Sequence, residues 1–156
     1  MLLNQLTALS PIDGRYRNKT GYLAKYLSEF GLIKYRVQIE IEYLLALQKT
    51  GIKGLKGTIS EDNAEALRKV YENFNESDAE KVKDTEKITN HDVKAVEYFV
   101  KDELHKLDLD HISEFVHFGL TSQDINNTSI PLSLKEACDS LYLPMMEDLI
   151  EALEDK

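Results

Sequence analysis

A chain of 156 residues, 42% hydrophobic and 30% charged, with seven glycines and three prolines, can fill one domain or one domain and the opening of a second, and it is too apolar to be disordered throughout. Its formal net charge of -9 and pI near 4.9 oppose binding to nucleic-acid phosphates or to an anionic membrane, so an anionic ligand must be held by local features. One cysteine, Cys138, excludes an intrachain disulfide and a cysteine-based zinc site.

The start, Met1 to Leu6, lacks the basic flank and apolar run of a signal peptide, and no stretch approaches the roughly 18 apolar residues of a membrane span. The expectation is a soluble, cytoplasmic protein. Residues 7 to 21 contain Ser10, Pro11, Asp13, Gly14 and Gly21 and predict an irregular surface loop. From Tyr22 to Lys49 the pattern is helical, and Gly31 is expected to separate a short helix from a longer one. Val37 to Tyr43 alternates apolar and polar residues, a strand signal when taken alone. Yet Phe30, Ile33, Val37, Ile41 and Leu44 keep helical spacing, as do Leu32, Tyr35, Ile39, Tyr43 and Leu47, so one long helix buried on two sides explains both rows.

Gly51, Gly54 and Gly57 mark a loop that Ser60 closes as a helix cap. Ser77-Asp78-Ala79-Glu80 fits a capping box, and two helices are expected to fill roughly 61 to 87. Thr89-Asn90-His91-Asp92 predicts a further helix start, with Val93, Val96, Phe99, Val100 and Leu104 on its apolar face. Ile112 to Phe118 should end at a left-handed Gly119, after which Thr121 restarts a helix. From Leu134 one apolar face runs through Cys138, Leu141, Met145, Leu149 and Ala152, with a bend expected at Pro144. Glu151 to Lys156 carries no stop signal, so the sequence is expected to end inside a helix that continues. The prediction is an all-α chain.

Three constellations could carry chemistry. In Ser10-Pro11-Ile12-Asp13-Gly14-Arg15-Tyr16, Arg15 offers a planar fork of donors for phosphate or carboxylate, and Tyr16 adds a donor and a flat face. At Thr89-Asn90-His91-Asp92, exposed helix amides attract an anion while His91 can donate a hydrogen bond or exchange a proton. At Thr121-Ser122-Gln123-Asp124, two hydroxyls and free amides form a carboxylate cradle. Each also reads as an ordinary turn or cap, Thr121 with Asp124 most readily. Together they could surround one multiply anionic ligand. His105, His111 and His117 recur every six residues, which is not a same-face helical spacing, so no metal site is expected and His117 reads as a satisfied core histidine. Cys138 reads as packing.

Ser10 to Tyr16, Thr89 to Phe99 and His117 to Thr128, read as SPIDGRY, TNHDVKAVEYF and HFGLTSQDINN, resemble the N-terminal signatures of the bacterial adenylosuccinate lyase family within the fumarase/aspartase superfamily. The resemblance covers nearly the whole chain. It implies an N-terminal helical domain over residues 1–111, followed over 112–156 by the beginning of a central bundle of long helices. It implies cleavage of adenylosuccinate to AMP and fumarate by β-elimination in purine synthesis, without metal or organic cofactor, in a homotetramer. Arg15 and Tyr16 would hold the nucleotide end. Asn90, His91 and Asp92 would line the site, with His91 assisting proton transfer, and Thr121 and Ser122 would grip a succinyl carboxylate. The family's principal acid, a His, and its base, a Ser, lie downstream of these residues, so this chain alone is expected to be inactive. Two other readings remain: another superfamily lyase, such as one acting on argininosuccinate, and a non-catalytic helical binding or oligomerisation module.

Overall fold

The computed structural model describes residues 4–155. Residues 1–3 and Lys156, at the ends of the stretches read above for a signal peptide and for an uncapped helix, lie outside the described residues. Among the described residues there is no strand. The helices are α1 (Arg17–Thr20), α2 (Ala24–Leu27), α3 (Glu29–Leu47), α4 (Glu61–Glu72), α5 (Glu76–Thr89), α6 (Asp92–Lys106), α7 (Ser122–Ala137) and α8 (Leu143–Glu154). The predicted N-terminal loop is turns as far as Tyr16, and then the short α1 and a 3₁₀ turn at Gly21–Leu23 take the place of irregular backbone.

The long helix predicted over both apolar rows forms as α3, and the strand signal loses because burial surrounds this segment. Ile33, Val37, Ile41 and Leu44 are at most 2% exposed. They pack against Leu67 of α4, Val82 of α5 and Val96, Val100 and Leu104 of α6. The second row is covered less completely: Leu32, Ile39 and Tyr43 are half-buried. Phe30, Phe74 and Phe99 extend the core as a ladder, with ring centroids 5.6 and 5.7 Å apart. Opposite, α7 lies along α3, where Tyr26, Tyr35 and Ala137 form a smaller apolar cluster and the Tyr35 hydroxyl donates to Glu136 at 2.6 Å.

The break before α3 falls at Ser28, not at Gly31 as expected. Ser28 is extended and its Oγ accepts the Gly31 N–H at 3.2 Å, a helix cap. Gly31 lies inside the first turn of α3, close against the backbone of α2: a Cβ would stand 2.8 Å from the carbonyl carbon and oxygen of Tyr26.

Ser60 caps α4 as predicted, accepting from Asn63 N–H at 3.2 Å. The capping box of α5 is two residues upstream of the expected one. Asn75 accepts from the Ser77 and Asp78 amides, and Asp78 accepts from the Asn75 N–H. Asn-x-x-Asp satisfies the same two sets of donors as Ser-x-x-Glu, and the earlier pair starts the helix first.

Pro131 lies inside α7, which continues through it. A π turn, Cys138–Tyr142, joins α7 to α8 immediately before Pro144, with the Leu143 N–H bonded to the Cys138 carbonyl. Pro144 has no N–H to continue an α ladder, and the wider turn absorbs the defect. Cys138 is exposed, contrary to the packing role expected of it, because nothing described covers that face of the rod. No residue of α8 is buried. Its apolar side and the neighbouring residues Leu23, Leu27, Leu134 and Leu141 form an open groove of about 450 Å³. No helix among the described residues is long and apolar enough to cross a membrane.

Candidate functional site

The helix start predicted at Thr89 to Asp92 is built by a tight reversal between α5 and α6. Asn90 closes α5 in the left-handed region, with φ of 52°, a conformation that asparagine tolerates better than most side chains. His91 is the cap of α6: its Nδ1 accepts the Lys94 N–H at 3.2 Å. That bond assigns the imidazole proton to Nε2, so the half-exposed ring offers Nε2–H as a donor. Val93, Val96, Phe99, Val100 and Leu104 are buried as predicted and fix α6 against the core.

Both oxygens of Asp92 are occupied. Oδ1 accepts the Val93 N–H at 2.8 Å, and Oδ2 pairs with the Arg36 guanidinium at 2.8 Å. Partial burial pushes this carboxyl up, but the Val93 amide and the Arg36 charge outweigh burial and hold it below its usual range. Arg36 is itself only 5% exposed, and its Nε donates to Asn126 Oδ1 of α7 at 3.0 Å. One buried side chain therefore joins the first residue of α6 to the second turn of α7.

The start of α7 is set by the segment Val116 to Leu120. Gly119 takes the predicted left-handed conformation, with φ of 74°, and His117 takes one too, with φ of 60°. The Tyr43 hydroxyl donates to the Phe118 carbonyl at 2.8 Å, and His117 Nδ1 lies 2.6 Å from Glu40 Oε1, so α3 holds this turn at two points. Glu40 is fully buried, and among the described residues its Oε2 has no hydrogen-bond partner. Burial pushes its carboxyl up, partly offset by the His117 hydrogen bond and charge. Glu97 closes the far side of the ring, with Oε1 3.9 Å from His117 Nε2. His117 is thus a largely buried histidine with a partner, as expected.

Thr121 and Asp124 form the predicted cap: Asp124 Oδ2 accepts from both the N–H and the hydroxyl of Thr121, each at 2.8 Å. These bonds hold the Asp124 carboxyl below its usual range. The Thr121 hydroxyl proton is thereby committed, whereas the Ser122 hydroxyl makes no hydrogen bond to another described side chain. Of the two hydroxyls read as a cradle, Ser122 is the one free to meet a ligand.

The structure brings the α6 and α7 starts to a common guanidinium, but it does not bring Arg15 and Tyr16 to them. Both are exposed in the N-terminal turns. Arg15 stacks over the Tyr16 ring with its Cζ 5.4 Å from the centroid, and among the described residues neither side chain bonds to His91, Asp92, Thr121 or Ser122. Arg36, Glu40, Glu97 and Asn126 were not named as site residues in the sequence reading, although Glu97 and Asn126 fall within its quoted motifs. A signal for the first two existed: Arg36 and Glu40 stand four apart on a helix predicted to be buried on two sides. Among the described residues no group of three or more His, Cys, Asp or Glu is placed to hold a metal ion, so His105, His111 and His117 assemble none.

A family model described as "Lyase" matches residues 14–156. The chain belongs to the lyase family. Curated relatives named adenylosuccinate lyase include one from Dictyostelium discoideum, 52% identical over 95% of this chain and 32% of its own length. Those from Vibrio cholerae and Escherichia coli are 47% and 43% identical over 98% and 99% of this chain, each over 34% of its own length. This lyase chain therefore spans about a third of the length of the curated relatives it matches. All three constellations of the sequence reading fall within the matched residues except Ser10 to Asp13, which precede residue 14.

Proposed function

We propose that this chain is the substrate-holding part of a carbon–nitrogen lyase that cleaves adenylosuccinate to AMP and fumarate, and the related succinylcarboxamide ribotide to its carboxamide ribotide and fumarate, in purine synthesis. The observation that carries the reading is the 43% to 52% identity, sustained across nearly the whole chain, to proteins named adenylosuccinate lyase. The site geometry agrees with a multiply anionic ligand: two adjacent helix starts, an imidazole with Nε2–H as donor, and a free serine hydroxyl.

In a β-elimination a base removes the proton from the succinyl carbon beside a carboxylate. The released pair forms the carbon–carbon double bond, the carbon–nitrogen bond breaks, and an acid protonates the departing nitrogen. Negative charge builds beside carboxylates in the transition state, so fixed donors stabilise it more than the ground state. His91 Nε2–H donates to the substrate and assists proton transfer, Ser122 grips a succinyl carboxylate at the helix start that Thr121 caps, and Arg15 with Tyr16 holds the nucleotide end. Asn90 sets the turn and Asp92 lines it.

The principal acid His and the base Ser belong to parts of the lyase outside this chain. Each such group contributes roughly 10²- to 10⁴-fold, so the chain alone turns over negligibly. Residues 1–111 form the N-terminal helical domain and residues 112–156 open a central helical bundle. The complete enzyme is read as a cytoplasmic homotetramer, and the uncovered apolar side of α8 supports only that this helix packs against a further element.

The test is made in the complete lyase containing this chain. Arg15→Ala and Ser122→Ala are expected to raise the KM for adenylosuccinate roughly tenfold or more, and AMP is expected to compete. Unchanged KM in both variants would contradict the residue assignments, and cleavage of argininosuccinate instead would contradict the substrate.

A further inference from the structure

We infer that Arg36 is a positioning residue: it clamps the starts of α6 and α7 to α3 and cancels the Asp92 charge beside them, so that both starts can hold one anionic ligand. This rests on the reading that adenylosuccinate, or an anion like it, binds there.

Three observations meet at this side chain. Arg36 is a buried cation in a strongly acidic chain, 5% exposed in the middle of the central helix. Two of its guanidinium nitrogens take different partners: Nη2 pairs with Asp92 Oδ2 at 2.8 Å, and Nε donates to Asn126 Oδ1 at 3.0 Å. Asn126 follows Ser122 by four residues, one turn along the same face of α7. A planar fork can serve both partners at fixed angles, whereas a lysine in its place would present a single point charge.

Asp92 stands directly after His91, at the end of α6 that must attract an anion. Left unpaired, its carboxylate would repel the carboxylates of the substrate and compete with them for the helix amides. Paired with Arg36 and the Val93 N–H, both its oxygens are committed, and the donors of His91 and Ser122 are left without competition from the Asp92 charge.

The test compares Arg36→Met, Arg36→Met with Asp92→Asn, and Asn126→Ala in the complete lyase, with KM and kcat for adenylosuccinate and thermal unfolding measured on each. Arg36→Met, which strands the carboxylate, is expected to raise KM roughly tenfold or more, and adding Asp92→Asn is expected to bring KM back toward the unsubstituted value. Asn126→Ala keeps the ion pair and frees only α7; it is expected to raise KM about threefold or more with little change in unfolding temperature. A purely structural Arg36 would lower the unfolding temperature and the active fraction while leaving KM alone. KM within about twofold of the unsubstituted enzyme in Asn126→Ala would overturn the clamp, and no recovery on adding Asp92→Asn would overturn the charge cancellation. If Arg36→Met does not fold, Asn126→Ala decides. Failure of the unsubstituted enzyme to cleave adenylosuccinate would overturn both the clamp and the function it rests on.

Discussion

At Gly31 the tolerance of the fold is set by backbone atoms, the Lys25 carbonyl oxygen at 2.9 Å from a Cβ among them. A Cβ there would stand 2.8 Å from the carbonyl carbon and oxygen of Tyr26, neither of which can rotate away as a side chain could. Gly31→Ala is therefore expected to cost about 1–3 kcal/mol, read from urea unfolding, even though alanine is the better helix former. Asp92 sets a pH dependence whose sign follows from its lowered folded value. The stability its ionised form contributes is present above the ordinary value of 3.8 and is lost as pH falls through the lower folded value. Asp92→Asn is expected to unfold at a lower temperature than the unsubstituted chain at neutral pH, with the two curves converging in acid. A constant gap between them down to low pH would contradict the ion pair with Arg36.

At the scale of the elements, caps and turns decide where helices begin. Asn75→Ala is expected to destabilise by about 1 kcal/mol in urea unfolding, while Ser77→Ala, which removes no cap contact, should change stability by less than about 0.5 kcal/mol. Much of this level was legible. Ser60, Thr121 and Gly119 stand where local chemistry requires a cap or a left-handed residue, and that requirement depends on near neighbours only. The alternation in Val37 to Tyr43 could be resolved because the helical rows ran longer than the alternating stretch. Gly31 was misread because its role depends on how closely the end of α2 folds back on it at Tyr26, a backbone geometry that reads in the sequence as a breaker. Ser77 was read as the cap because Ser77 and Glu80 fit a box, whereas Asn75 and Asp78, two residues earlier, form the one that starts α5.

At the scale of the whole molecule, what the sequence could not show is long-range. Arg36 meets Asp92 and Asn126 from 56 and 90 positions away, and no local pattern couples them. The turn-rich motif with Arg15 and Tyr16 was legible as a motif, yet the structure leaves it apart from the helix starts. The exposure of Cys138 reflects the same limit, since the apolar face from Leu134 to Ala152 was legible and what covers it was not. That face includes Met145, Leu149 and Leu153 at 52% to 63% exposure, so the isolated chain is expected to bind a hydrophobic dye, and Leu149→Lys is expected to reduce the signal. An unchanged signal would place the dye elsewhere.

The central claim is that this chain supplies the substrate-holding part of a composite lyase site. Its most direct test is adenylosuccinate cleavage, followed by absorbance, for the chain alone and for the chain mixed with a separately expressed remainder of such a lyase. The account predicts silence in the chain alone and activity in the mixture that Ser122→Ala diminishes. Cleavage by the chain alone, or a mixture that stays silent although the two parts associate, would contradict it.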